Sequence, residues 1–221
     1  MIKQSGTPFV SRGGLKLAKA LEQFCISLSG KIVLDIGAST GGFTDCALQN
    51  GAKTVYAVDV GYNQLAWKLR QDKRVVVMER TNFRYVTPNQ LTKGLPEFVT
   101  IDVSFISLTR ILPVLTSILP KQGQVIALVK PQFEAERNQI GNKGVISDPE
   151  VHRQVVSKIS AYAIKEGFSI AGIDFSPIKG GEGNIEFLLF LERTTNKPHS
   201  NLEQNIAAVI KEAHQHFDTK K

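Results

Sequence analysis

"LDIGASTGGF", residues 34–43, runs from an apolar strand-like stretch directly into a glycine-rich turn. Gly37, Gly41 and Gly42 let the backbone turn sharply and come close to a ligand. A phosphate-binding loop of the Gly-Lys-Ser/Thr kind is absent, and the glycine spacing G-A-S-T-G-G does not fit the Gly-x-Gly-x-x-Gly of a dinucleotide site. In an open α/β sheet ligands sit beyond the carboxyl ends of the strands, where this turn falls. Asp35 ends the first strand and Asp59 ends the second, about twenty residues beyond the turn, where a carboxylate accepts hydrogen bonds from ribose hydroxyls. A simple strand-end cap is the competing reading of Asp59.

Outward from this turn, β-branched runs alternate with helical patterns. Strands are predicted at 31–36, 54–60, 74–78, 97–103, 123–130, 168–175 and 185–192, and their nearly continuous apolarity fits strands covered on both faces. Helices are predicted at 41–50, 63–71, 107–118 (kinked at Pro113) and 149–166, the last opened by "SDPE" with an N-cap and a proline in its first turn. Only "SPIKGGEGN" separates the last two strands, too little for a crossover, so they are expected to pair antiparallel. The expected architecture is one α/β domain with a Rossmann-like seven-stranded sheet, mostly parallel, its last strand antiparallel, with helices on both faces. "TTNKPHS" (194–200) reads as a linker to an amphipathic C-terminal helix at about 202–217.

The 221-residue chain has ordinary apolar content but a net charge of +7, which permits a polyanionic partner without requiring one. Within the first thirty-four residues Lys3, Arg12, Lys16, Lys19 and Lys31 face a single acid, Glu22. Cys25 and Cys46 stand in no metal or redox spacing and read as buried thiols of a cytoplasmic protein. The four histidines form no ligand motif, so no metal is expected; His214 and His216 read as solvated residues of a polar tail. No apolar run reaches membrane-spanning length and no secretory signal is present, so a soluble protein without stable membrane association is expected. Nothing in the pattern sets an oligomeric state.

Four charged residues fall at or beside strand ends. Lys16 lies in "SRGGLKLAKAL" (11–21), Asp102 ends the fourth strand in "IDVSFIS" (101–107), Lys130 ends the fifth in "ALVKPQF" (127–133), and Glu186 lies in "GNIEFLL" (183–189). A lysine closing an apolar strand is costly to bury without partners. Taken singly, each residue would serve as a strand cap or a rim ion pair. The polar segment Gln132–Asp148, with Arg137 and Lys143, reads as a binding lid or as a plain surface loop.

The acid-Gly-x-x-x-Gly-Gly stretch with a strand-end acid resembles the S-adenosylmethionine pocket of class I methyltransferases. That resemblance implies that Asp35 and the loop Gly37, Ala38, Ser39, Thr40, Gly41, Gly42 and Phe43 meet the amino-acid part of the cofactor. Asp59 and Val60 would then meet its ribose and Asn82 and Phe83 its adenine, with Asp102 also on the cofactor side. "SRGGLKL", "LDIGASTGGFTD", "YAVDVG", "IDVSFISL", "LVKPQFE" and "KGGEGNIEFLL" resemble the TlyA family of FtsJ-like ribosomal RNA 2′-O-methyltransferases, which also carries a historical haemolysin label. The resemblance spans about residues 9–192 and implies Lys16, Asp102, Lys130 and Glu186 as a catalytic tetrad. Whether Lys130 is a base or only steers the hydroxyl stays open, because neighbouring carboxylates raise a lysine pKa while burial lowers it. The implied partner is ribosomal RNA or a ribosomal subunit. Family members usually begin with a small RNA-binding domain, and only about ten residues precede "SRGG", so that domain is expected to be lacking and autonomous RNA recognition weakened. The expected organisation is an N-terminal remnant at 1–10, a methyltransferase domain at 11–193, and a linker and helix at 194–221. The alternatives are a membrane-active haemolysin, which needs inserting segments, an inactive RNA-binding module, and a methyltransferase acting on another RNA or a small molecule.

Overall fold

Each of the seven apolar runs forms a strand in this computed structural model, which describes residues 7–194 and 201–219. The strands are β1 (Ile32–Ile36), β2 (Thr54–Val58), β3 (Val75–Met78), β4 (Phe98–Ile101), β5 (Gln124–Val129), β6 (Ser169–Phe175) and β7 (Phe187–Glu192). They make one sheet of order β3-β2-β1-β4-β5-β7-β6. β7 is antiparallel to both neighbours and every other pairing is parallel, as the short connection before β7 demands. The winding reverses between β1 and β4, which opens a crevice at their carboxyl ends.

Helices α1 (Gly13–Gln23), α2 (Gly42–Gln49), α3 (Trp67–Arg70), α4 (Leu112–Ile118), α5 (Pro131–Glu134), α6 (Pro149–Lys165) and α7 (Leu202–Asp218) surround the sheet. Alternation along the strands sends Leu34, Ile36, Tyr56 and Ile101 into one core with Leu115, Val156 and Ile210, and Val33, Val55 and Ala57 into a second with Leu17 and Cys46. Both faces are thereby covered, which explains the near-continuous apolarity of the strands.

Several local expectations change. The segment before β1 is a helix, α1, whose Leu17, Ala20 and Leu21 share one buried stripe. Its two opening glycines hide it in sequence, yet Gly14 is required there: a Cβ would lie 2.4 Å from the Phe9 ring. The helix expected at 63–71 shrinks to α3, because the Glu79 carboxylate accepts from the backbone N–H groups of Asn63 and Gln64 at 3.0 and 3.1 Å and pairs with Arg70, holding 61–66 as a loop. These bonds hold the Glu79 carboxyl low, at about 2. Pro113 opens α4 in its first turn rather than kinking a longer helix. Asp148 caps α6 by accepting from Glu150 N–H at 2.8 Å.

The amphipathic helix expected at about 202–217 is α7, packed on α6 and β6 and burying Ile206, Ile210, Ala213 and Phe217, but its histidines are not solvated. Its His214 Nε2 lies 2.9 Å from Nδ1 of the fully buried His152, and His216 packs on Phe175. Cys46 is buried as expected, but Cys25 is exposed: it follows the end of α1 in a left-handed turn that faces water. Most of the 194–200 linker and of the 1–10 segment lies outside the described residues. Among the described residues no helix is long and apolar enough to cross a membrane.

Candidate active site

Two cavities of about 370 and 440 Å³ open side by side over the carboxyl ends of β1, β2, β4 and β5. Gly37, Ser39, Asp102 and Ser104 line both and form the partition between them. Gly37 has φ 86°, and a Cβ there would lie 2.3 Å from the Asp102 carbonyl oxygen. The glycine is what lets the turn after β1 close against the end of β4. Gly41, at φ 100°, caps α2 in the left-handed region with its missing side chain over Leu69.

The first cavity gathers Lys16, Asp102, Lys130 and Glu186 from α1 and the ends of β4, β5 and β7. Lys130 Nζ lies 2.6 Å from Asp102 Oδ1, Lys16 Nζ lies 3.8 Å from Asp102 Oδ2, and Lys16 Nζ lies 2.6 Å from Glu186 Oε2. The result is an unbranched chain of alternating charge that sums to zero. Lys16, Lys130 and Glu186 are each at most 9% exposed, so the alternation is what makes their burial tolerable. Burial raises the Glu186 carboxyl above its ordinary value, and Lys16 and then Lys130 partly offset the rise. Gly180 lies against this carboxylate so closely that a Cβ would sit 2.0 Å from Glu186 Oε1.

Ala38, Thr40, Gly42 and Phe43 also line the first cavity. The second holds Asp59, Val60, Asn82 and Phe83 with apolar Val103, Ile106 and Ile111. Asp59 Oδ2 accepts from Ser39 N–H at 2.8 Å and Oδ1 from Gly61 N–H at 2.7 Å, which orients the carboxylate and leaves each oxygen a further lone pair. Asn82 turns its side-chain oxygen onto Arg84 N–H at 3.2 Å, capping a short 3-10 turn that carries the buried Phe83.

Two of the residues singled out in sequence, Asp35 and Gly41, reach neither cavity. The Asp35 carboxylate, 1% exposed, points inward and accepts from Thr44 Oγ1 at 2.6 Å and Thr100 Oγ1 at 2.9 Å. Strand alternation sends it to the α2 side of the sheet, where burial is the main reason its carboxyl rises to about 6, against the lowering by the two threonines. Sequence reading missed Ser104, whose Oγ accepts from Lys130 Nζ at 3.1 Å, although it stands two residues past Asp102 in the same motif. Ser11, Arg12 and Lys179 at the rim of the first cavity were likewise not singled out, the last because "KGGEG" reads only as a turn.

Residues 9–193 match the family of FtsJ-like methyltransferases. The chain belongs to that family. This FtsJ-like methyltransferase is 58% identical over 222 residues to YqxC of Bacillus subtilis, a candidate rRNA methyltransferase, covering 100% of this chain and 79% of that protein. It is 43% identical over 214 residues to the 16S/23S rRNA (cytidine-2′-O)-methyltransferase TlyA of Mycobacterium tuberculosis, covering 96% of this chain and 80% of that one. A solved structure from Streptococcus thermophilus, described as a candidate hemolysin, superposes with a TM-score of 0.94 at 57% identity, covering 99% of this chain and 78% of the other. The FtsJ-like match therefore takes in the whole sheet, both cavities and all four charged residues of the buried chain.

Proposed function

We propose that the protein transfers a methyl group from S-adenosylmethionine to a ribose 2′-hydroxyl of ribosomal RNA, with residues 11–193 as the methyltransferase domain. The observation that carries this reading is the buried chain Lys130–Asp102–Lys16–Glu186, open on one side to a cavity that shares its partition with the Asp59 cavity. The residues of the second cavity fit an adenosine group: Asp59 offers two oriented acceptors to ribose hydroxyls, and Phe83, Ile106 and Ile111 offer an apolar bed for a base. The shared partition of Gly37, Ser39, Asp102 and Ser104 supports a binding mode in which the methionine end of such a ligand points towards the tetrad.

When bound, S-adenosylmethionine supplies a methyl group already activated on a sulfonium. The chain's own residues then have two tasks, alignment of the hydroxyl oxygen and management of its proton. An ammonium has three donors. Two of those on Lys130 go to Asp102 Oδ1 and Ser104 Oγ, which leaves one for an oxygen in the cavity. A hydroxyl held by that donor presents its lone pair in a fixed direction. Asp102 at 2.6 Å and Ser104 at 3.1 Å hold the Lys130 amine in place, so the geometry supports Lys130 as the group that fixes the oxygen, with the hydroxyl proton passing to solvent water as the methyl arrives. Lys16, clamped between Asp102 and Glu186, keeps Asp102 in place and adds a second positive charge where the oxygen must shed a proton.

The substrate class rests on relatives named as rRNA methyltransferases, of which TlyA is named as acting on a cytidine 2′-oxygen, and on the chain's net charge of +7. Ribosomal subunits and naked rRNA should be incubated with labelled S-adenosylmethionine, and 2′-O-methyl positions mapped by reverse-transcription stops. Label should enter a ribose 2′-oxygen with the wild type and fall by at least about a hundredfold with Lys130→Ala, while cofactor affinity is kept. Lys130→Arg should fail as well, since a guanidinium differs from an ammonium in both shape and donor directions. Near-wild-type turnover in Lys130→Ala would remove the tetrad assignment, and incorporation into small molecules but no RNA would remove the substrate.

A further inference from the structure

Glu134 is a buried acid outside both cavities, four residues beyond Lys130 and on the short helix α5. Among the described residues its carboxylate forms no salt bridge, Lys158 acting on it only from a distance. Oε2 accepts from Ser107 Oγ at 2.6 Å and Oε1 from Leu108 N–H at 2.7 Å. Ser107 in turn caps the 3-10 turn Leu108–Arg110, accepting from Thr109 N–H at 3.1 Å. The backbone oxygen of Glu134 is itself held by Lys158 of α6 at 3.0 Å.

These contacts complete a ladder between two segments of chain, the one leaving β4 and the one leaving β5. The first rung is Lys130 on Asp102 and Ser104. The second is the Phe105–Phe133 ring contact, centroids 4.9 Å apart, with Phe105 held at φ 63°. The third is Glu134 on Ser107 and Leu108. The segment braced in this way, Val103–Ile106 with Ile111 beyond it, is a wall of the second cavity, and its Ser104 belongs to the partition. The first rung is part of the reaction site, and Phe105 is 91% exposed. Only the third rung anchors the far end of the wall to a buried group. Burial raises the Glu134 carboxyl, while Ser107, the Leu108 amide and Lys158 pull it back, so the anchor is a fully bonded group under a desolvation cost.

Resting on the methyltransferase reading above, we propose that Glu134 is a positioning residue: it holds the wall shared by the cofactor and reaction cavities and so sets cofactor affinity without touching either reactant. Removal of the carboxylate leaves Leu108 N–H unpartnered in the interior, takes from Ser107 Oγ its bond to α5 and frees the wall at its distal end. A glutamine can restore both bonds, its oxygen accepting from Leu108 N–H and its amide donating to Ser107 Oγ, which is free to act as acceptor.

Calorimetric titration with S-adenosylmethionine and S-adenosylhomocysteine tests this without any RNA, on full-length wild type, Glu134→Ala, Glu134→Gln and Ser107→Ala at 20 °C. We expect about a tenfold loss of affinity for both ligands in Glu134→Ala, recovery to within about threefold in Glu134→Gln, and an intermediate loss in Ser107→Ala. If Glu134→Ala does not fold, the pair Glu134→Gln and Ser107→Ala decides the matter by the same ordering. Wild-type affinity in a folded Glu134→Ala with a lowered melting temperature, or wild-type affinity in Ser107→Ala where Glu134→Ala is unfolded, would reduce Glu134 to a purely structural acid and overturn the proposal. So would equal losses in Glu134→Gln and Glu134→Ala. A wild type that binds neither ligand would instead bring down the methyltransferase reading on which the proposal rests.

Discussion

Asp35 stands in the middle of the sheet, opposite Thr100 of β4, with its carboxylate sealed between two threonine hydroxyls and no cation beside it. Burial is the largest influence on it, and Asp102 adds repulsion, so its carboxyl titrates near 6 in the folded protein against 3.8 when exposed. Between these two values the folded chain binds more protons than the unfolded one, and the stability owed to this group falls as pH rises through the window. Above pH 7 the ionised form costs about 3 kcal/mol relative to the protonated one, from 2.2 pK differences at about 1.36 kcal/mol each. Asp35→Asn removes that titration and can still bond both threonines, through its oxygen and its amide. The stability of the variant relative to wild type should therefore climb by on the order of 1 kcal/mol between pH 5 and pH 8, whatever fixed offset the substitution carries. Urea unfolding at a series of pH values measures the difference directly. Cofactor affinity should stay within about threefold of wild type, because the carboxylate reaches neither cavity. A variant-minus-wild-type stability that is flat across this range, or that falls as pH rises, would show that the carboxylate is not a buried, cation-free group. A large loss of S-adenosylmethionine binding would return Asp35 to the cofactor site.

Three further outcomes follow from the same geometry. Asp59→Ala should weaken S-adenosylmethionine by about two orders of magnitude in calorimetry, since it deletes the acceptors proposed for the ribose and releases the Ser39 and Gly61 amides; equal affinity would remove Asp59 from the site. Gly180→Ala should cost about 1–3 kcal/mol in denaturant unfolding and at least about tenfold in methyl transfer, because its Cβ enters the space of a Glu186 carboxylate already fixed on Lys16. Gly181→Ala, with nothing within 4 Å, is the matched control and should be silent in both measurements. Binding of rRNA fragments should fall steeply as salt rises, given a net charge of +7 and the rim cations Arg12 and Lys179, with little discrimination between rRNA and scrambled RNA; a flat salt response, or no binding at low salt, would favour a small-molecule acceptor.

The parts of this molecule that were legible in sequence are those that one strand or one loop determines by itself. Runs such as "IVLDI" and "FLLFLE" are apolar on both faces because helices cover both, and their alternation with helical patterns fixes a wound sheet before any contact is known. Lys130 was conspicuous because a cation ending a buried strand needs partners, and Asp102 and Ser104 supply them. What escaped depends on a residue distant in sequence. Asp35 closes an acidic glycine motif, and nothing local says that Thr44 and Thr100 will take both its oxygens. Residues 63–66 have a helical pattern, but Glu79 captures their amides and three-residue spacing gives way to a loop. Glu134 looks like any helix-face acid until Leu108, 26 positions earlier, turns its N–H towards it. In each case a carboxylate bonds to groups distant in sequence: Asp35 and Glu134 because a buried oxygen must find donors, Glu79 and Glu134 because a backbone N–H must find an acceptor. The start of α2, the wall beyond Asp102 and the loop that brings Gln64 to the second cavity are tied this way, by Asp35, Glu134 and Glu79 in turn. Around cavities that stay open at the sheet edge, apolar packing cannot close over the loops, so hydrogen-bonded carboxylates take over the task of fixing them.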